Sequence, residues 1–326
     1  MNPILILAPL QGVTDRVFRT VFSRHFSGLD AAVAPFISTR RERRFKPSQL
    51  AALLPENNTG LPVVPQIMGN DPDDFIALAE VLADLGHATV NWNLGCPFPM
   101  VVKKIRGCGL LGHPERIAAF LERVVPRISC GLSIKTRLGL QSAAELLGLM
   151  PIFNRFPLAE VIIHSRLGSQ RYSGQPDLTS FGECLARCAH PVIYNGDLHT
   201  LETYRQISRR FPTVTRWMLG RGVVANPFLP TMIKTGQDPG TDQIHRLRCF
   251  HDDLFSGYQR VFAGPGHLLD RMKGFWYYFA QTFENSRRIM KKIHRLQRPE
   301  RYREVVDRFF AAEARWNPSA VAFNEG

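Results

Sequence analysis

Eight short runs rich in Val, Ile and Leu recur along this chain, and amphipathic stretches separate most of them. The runs are ILILAP (4–9), AAVAPFI (31–37), PVVPQIM (62–68), ATVNWNLG (88–95), GLSIKT (131–136), EVIIHS (160–165), PVIYNG (191–196) and RWMLG (216–220). Between them, segments such as DDFIALAEVLADLG, PERIAAFLERVV and LETYRQISRR carry helical spacing. Apolar strands that alternate with helices predict a parallel sheet covered by helices. Eight βα units before residue 220 fit a closed (β/α)8 TIM barrel. An open dinucleotide-binding sheet would want G-x-G-x-x-G after an early strand, and none is present. Past GQDPG (236–240) only helical patterns remain, so the expected division is a barrel over 1–238 and a small all-helical bundle over 239–326.

A barrel of this kind places its chemistry at the carboxyl ends of the strands. The polar endings are Pro9, Leu10 and Gln11; Gln66; Asn93 to Cys96; Lys135 with Arg137; His164 with Arg166; Asn195, Gly196 and Asp197; and Gly220 with Arg221. Glycine amides and one arginine after the last two strands (Gly196, Gly220, Arg221, Gly222) suit a phosphate. Lys135 closes an apolar strand, where an unpaired ammonium is costly, so an anion is expected beside it. Gln66 can present its amide to a ring with alternating donors and acceptors. His164 can bind a phosphate or hydrogen-bond the backbone. A ring and a phosphate read by such residues point to flavin mononucleotide, FMN, with Lys135 both holding the cofactor and stabilising its anionic reduced form.

Cys96 sits in NLGCP, a corner just past the fourth strand. A thiol is mostly protonated at neutral pH, which makes it a usable proton donor, whereas a free cysteine in a core is ordinarily a small apolar filler. The Asn-Leu-Gly-Cys-Pro corner favours the reactive role. Five further cysteines are too sparse for a disulfide framework, and Cys184 with Cys188 lacks a second ligand pair, so no metal is expected. A formal charge of +13 points to a polyanionic partner. Nucleic acid or an anionic membrane surface is the partner such a charge favours, and basic residues concentrate in RRERRFK (40–46), in KKIR (Lys103, Lys104, Arg106) and in the tail, where Lys273, Arg287, Arg288, Lys291, Lys292 and Arg295 are the candidate phosphate contacts. Of the aromatics in FWYYF (275–279), most are expected in a core and one or two at most on nucleic-acid bases. The apolar N-terminus lacks a basic leader and no run is long enough to span a membrane, so a cytoplasmic protein acting as a monomer is expected.

These motifs resemble one family, the flavin-dependent tRNA-dihydrouridine synthases. LAPLQGVTDRVFR, PQIMGNDP, NLGCPFPMVVKK, SIKTRLG, IIHSR with QRYSG, VIYNGD and LGRGVVANP follow the family order over residues 5–229. The resemblance implies a barrel holding FMN, a helical RNA-binding tail, and NADPH-driven reduction of particular tRNA uridines to 5,6-dihydrouridine. In it, hydride reaches uracil C6 from reduced flavin and Cys96 protonates C5. By motif, Pro9, Leu10, Gln11, Gln66, Lys135, His164, Asn195, Gly196, Asp197, Gly220 and Arg221 fall on flavin-contacting positions. Asn93 falls where the family presents an amide to flavin or uracil. Asn91 stands where Asp is common, and Cys108 where Gly, Ala or Ser is usual. The alternatives are a flavin barrel acting on a small molecule, which the basic tail argues against, and a non-catalytic RNA-binding protein on the same fold.

Overall fold

The computed structural model of the protein describes residues 2–40, 45–238, 240–284 and 286–317. The apolar runs form parallel strands: β1 (Ile4–Leu7), β2 (Ala31–Val33, resuming at Ile37–Ser38), β3 (Val63–Val64, resuming at Gln66–Met68), β4 (Thr89–Leu94), β5 (Gly131–Gly139), β6 (Leu158–Leu167), β7 (Val192–Asn195) and β8 (Arg216–Leu219). Each pairs with its neighbour in the chain, and β8 pairs with β1 from Ile4 beside Arg216 to Leu7 beside Leu219. The sheet therefore closes into the expected barrel. Strands β2 and β3 are broken where the sequence reads as continuous. Pro35 lies in one gap and Pro65 in the other, and proline has no N–H to give a neighbouring strand.

Among the described residues, six helices of ten residues or more lie between the strands: α1 (Arg16–His25), α2 (Pro72–Asp84), α3 (Pro114–Val124), α4 (Ala144–Phe153), α5 (Leu178–Arg187) and α6 (Leu201–Arg210). Asp15, Asp71, Asp177 and Thr200 start four of them, each side-chain oxygen accepting a first-turn N–H. After β8 come α7 (Arg221–Ala225) and α8 (Leu229–Thr235), the latter ended by Gly236 at φ 73°. The tail holds α9 (Gln243–Val261), α10 (Pro265–Phe279), α11 (Ser286–His294) and α12 (Pro299–Arg308). Among the described residues, no helix is long and apolar enough to cross a membrane.

The tail helices pack onto the barrel. Phe250 of α9 meets Phe18, Phe22 and Phe26 of the α1 region at ring separations of 6.0, 6.3 and 5.0 Å. One apolar cluster runs from the barrel wall through these rings to Trp276 and Phe309. Within the bundle, Trp276 Nε1 donates to the Tyr302 hydroxyl oxygen at 2.7 Å, which lies 2.6 Å from His251 Nε2. An indole can only donate, so the Tyr302 proton goes to His251, and His251 Nδ1–H goes to Asp252 at 3.0 Å. Burial lowers the His251 pKa, in keeping with a neutral ring.

The barrel interior has two characters. Ile6, Ala8, Val33, Ile162, Ile193 and Met218 form a separate inner apolar cluster. On β3, β4 and β5 the alternate positions Gln66, Asn91, Asn93, Ser133 and Lys135 are polar instead. Register brings Asn93 beside Lys135, Arg137 beside His164, and His164 beside Asn195. Lys135 and His164 do not close their strands as expected, because the pairing of β5 with β6 runs on to Gly139 and Leu167, yet the polar positions still share one level of the barrel.

Candidate active site

The backbone of Cys96 is held from both sides. Asn93 Oδ1 accepts the N–H groups of Gly95 and Cys96, both at 3.0 Å. The Cys96 carbonyl accepts the Cys108 N–H at 3.2 Å and the Cys108 thiol at 3.3 Å. Gly107, at φ 56°, passes so close that a Cβ there would lie 2.6 Å from that carbonyl oxygen. Only glycine tolerates both conditions. Burial raises the Cys96 thiol pKa, while the Phe98 N–H on its sulfur and the charges of Arg137 and Lys135 pull the other way. The net shift is upward, so the thiol stays protonated at neutral pH.

From Asn93 a chain of amides runs down into the barrel. Because Asn93 Oδ1 is taken by two backbone donors, its Nδ2 donates to Gln66 Oε1 at 2.7 Å. Gln66 Nε2 then donates to Asn91 Oδ1 at 2.7 Å, Asn91 Nδ2 to Ser133 Oγ at 2.9 Å, and Ser133 to the Val90 carbonyl at 3.3 Å. The two ends impose the same direction, so every amide in the chain has one orientation. Asn91 can give one bond and take another; an aspartate there could only accept and would turn the Ser133 hydroxyl away from Val90. Replacing Gln66 by leucine strands the Asn93 nitrogen and the Asn91 oxygen, both buried. The expected loss is about 2–4 kcal/mol of stability, read from the urea midpoint.

Across the mouth lies a crowd of cations. Lys135 Nζ donates to Asn195 Oδ1 at 2.9 Å, and Asn195 Nδ2 donates to the Met218 carbonyl at 3.0 Å, which fixes that amide too. Burial, reinforced by Arg137, pushes Lys135 down to about 7. Burial also holds His164 well below its usual range, with Arg137, Lys135, Arg166 and Arg221 all adding to the effect, so its ring is neutral. Asp197 is occupied by other cations. Arg166 grips it with two bonds of 2.7 and 2.5 Å, Arg221 adds one of 2.8 Å, and His199 stands 3.6 Å away. Burial raises the Asp197 pKa, but these partners outweigh it and keep the carboxylate ionised. Gly196 and Gly220 flank this hub at the ends of β7 and β8. On the far side Pro9 and Leu10 are half-buried and Gln11 is exposed, in a loop knotted by Thr14, whose hydroxyl accepts the Leu10 N–H and donates to the Ala8 carbonyl.

Candidate RNA contacts divide by partner. Lys103 and Lys104 are exposed in the segment after Cys96, and Arg106 is tied through Nε to Asn70 at 3.1 Å. Arg287, Arg288, Lys291 and Arg295 are exposed on and just after α11. Lys292 instead pairs with Glu313 at 2.9 and 3.0 Å, and Lys273 is half-buried on α10. Of FWYYF, Phe275, Trp276 and Phe279 are buried and Tyr277 is exposed. Within RRERRFK, residues 41–44 lie outside the described residues. Among the described residues, no group of three or more His, Cys, Asp or Glu could hold a metal ion.

The sequence model of the family described as dihydrouridine synthase (Dus) matches residues 6–311. The chain belongs to the dihydrouridine synthase family. A protein of Rhodobacter capsulatus named probable tRNA-dihydrouridine synthase is 29% identical over 70% of this chain and 70% of its own length. The tRNA-dihydrouridine(16) synthase of Aquipseudomonas alcaligenes is 26% identical over 93% of this chain and 98% of its own. Among solved structures, the old yellow enzyme homologue of Zymomonas mobilis shares the barrel fold at 13% identity, TM-score 0.55, over 74% of this chain and 91% of that one.

Two residues of this dihydrouridine synthase that sequence reading left without roles prove central to its framework. Arg137, 2% exposed, donates to the Gly95 carbonyl at 3.0 Å and the Leu167 carbonyl at 2.8 Å, bracing the Cys96 corner against the end of β6. Arg166 holds Asp197 and also the carbonyls of Ser173 and Gly174. The guanidiniums of Arg137 and Arg221 lie 5.5 and 5.0 Å from the ring of Tyr172, in the loop after β6. Arg137 and Arg166 both stand at polar strand endings; the partners that give them work are distant in sequence.

Proposed function

We propose that this protein reduces uridines in tRNA to 5,6-dihydrouridine with FMN as its flavin and NADPH as the source of electrons. The carrying observation is the pairing of a protonated Cys96 thiol with a mouth whose cations outnumber its one paired carboxylate, Asp197. Such a donor set fits a phosphate-bearing, anionic cofactor. Gln66, Lys135 and His164 would meet the flavin ring, Pro9, Leu10 and Gln11 its edge, and Asn195, Gly196, Asp197, Gly220 and Arg221 the ribityl phosphate end. When bound, the flavin supplies hydride to uracil C6. Cys96 delivers a proton to C5, Asn93 and Cys108 hold its backbone in place, and Arg137 steadies the thiolate that remains. Relatives named as tRNA-dihydrouridine synthases support tRNA as substrate.

Dihydrouridine mapping in total RNA from cells with and without this gene tests the reading. Loss of the modification at defined tRNA positions is expected; an unchanged map would remove it. Residues 239–326 and the KKIR loop would carry the RNA. Replacing Arg287, Arg288, Lys291 and Arg295 with Gln should weaken tRNA binding and flatten its salt dependence, by up to ~0.7–0.9 in slope for each phosphate no longer neutralised. Lys292→Gln should chiefly lower stability, because it breaks the pair with Glu313.

A further inference from the structure

Immediately after Cys96 the chain does something a solvated loop has no need to do. Phe98 is 60% exposed and Met100 70%, the two most exposed large apolar side chains among the described residues. Both stand on the segment that directly follows Cys96. The segment is rigid. Pro97 and Pro99 flank Phe98, which is held extended at φ −64° and ψ 131° and caps the short helix Pro99–Val102, its carbonyl taking the N–H groups of Val101 and Val102 at 2.8 and 3.0 Å.

The turn that follows is held under strain. Ile105 is β-branched yet sits at φ 51°, a conformation such residues avoid at a cost of ~1–3 kcal/mol. Asn70 Nδ2 pins it by donating to the carbonyls of Lys104 at 3.1 Å and Ile105 at 3.0 Å, while Asn70 Oδ1 takes Arg106 Nε. The fold thus fixes a rigid apolar tip two residues past Cys96, followed in the chain by the exposed Lys103 and Lys104.

We propose that Phe98 and Met100 form a wedge that enters the RNA base stack next to the target uridine and occupies the place it vacates. This inference rests on the function proposed above. A uridine must leave its stack to reach the barrel mouth, at a cost of a few kcal/mol, and apolar side chains inserted between bases offset that cost in other nucleic-acid proteins. Charge selects RNA as occupant, because the exposed Lys103 and Lys104 that follow the tip supply cations suited to the phosphates of an opened step. Rigidity matters, since a wedge that had to be ordered on binding would lose part of its effect.

The test is a coupling measurement on flavin-loaded protein, once the target uridine is mapped. Phe98→Ala/Met100→Ala is compared with the unsubstituted protein on intact tRNA and on the same tRNA carrying an abasic nucleotide next to the target. Both side chains are mostly solvent-exposed, and flavin content serves as the folding control. On intact tRNA, kcat/KM is expected to fall about tenfold or more, the loss of one base stacked on an apolar side chain. On abasic tRNA the substitutions should cost little, because the stacking partner is already gone. Equal losses on both RNAs, or no loss on either, overturn the wedge while leaving the proposed function standing. Failure of the unsubstituted protein to form dihydrouridine in any tRNA overturns both.

Discussion

Replacing Cys96 with alanine should slow dihydrouridine formation by ~10²–10⁴, the usual worth of a positioned general acid, in a protein that remains yellow. Hydride arrival at C6 pushes charge toward C5 and O4, and without a proton at hand that charge has nowhere to settle. The surroundings of Cys96 give the effect a pH signature. Burial raises the thiol pKa, so the acid form persists through neutral pH. Single-turnover rates of pre-reduced enzyme should be flat across neutrality and fall as pH climbs through the raised thiol pKa. The alanine variant should lack that fall. Serine, whose hydroxyl is a far weaker acid, should recover little. An alanine variant with full single-turnover activity would sink the assignment, and one that lost its flavin would assign Cys96 to cofactor binding instead.

The barrel was legible because its strands are largely buried on both faces and so appear as runs rich in apolar residues, which sequence exposes directly. What the runs hid was their interruption at Pro35 and Pro65, since an apolar proline satisfies the pattern while withholding an N–H. Strand endings supplied the candidate site for the same reason: polarity at the close of an apolar run is a local signal. The wiring between endings is not local. Asn91 departs from the family pattern by one atom type, yet its consequence depends on Ser133 and Gln66, 42 and 25 residues away. Cys108 looked like an oddity in a glycine-rich loop and turns out to donate to the carbonyl of Cys96. Lys292 shares its helix pattern with Arg288 and Arg295, and only the fold brings Glu313 to it. Exposure of Phe98 and Met100 was equally illegible, because apolar letters after the Cys96 corner suggest packing until the surface is seen.

Lys135 carries the second large effect, and it couples cofactor to stability. In the ligand-free protein its pKa falls from 10.5 to about 7, chiefly through burial. The unfolded chain therefore binds this proton more tightly than the folded one between about pH 7 and 10.5, so folding bears the full penalty at and below pH 7 and sheds it as pH rises toward 10.5. Lys135→Gln keeps a donor for Asn195 Oδ1 and removes the charge. The ligand-free variant should melt above the ligand-free parent at pH 6, with the gap closing toward pH 10. Flavin affinity should move oppositely, falling by ~30- to 5,000-fold, as when one member of a buried charge pair is lost. An anionic cofactor raises the Lys135 pKa, so parent affinity should hold steady below pH 7 and then drop about tenfold per pH unit until the bound-state pKa is passed. Titration calorimetry at pH 8 in two buffers of different ionisation enthalpy should register proton uptake on FMN binding by the parent and none by the variant. A variant that kept parental flavin affinity, or a parent that took up no proton, would take Lys135 out of the flavin site and leave its buried charge without a counter-ion.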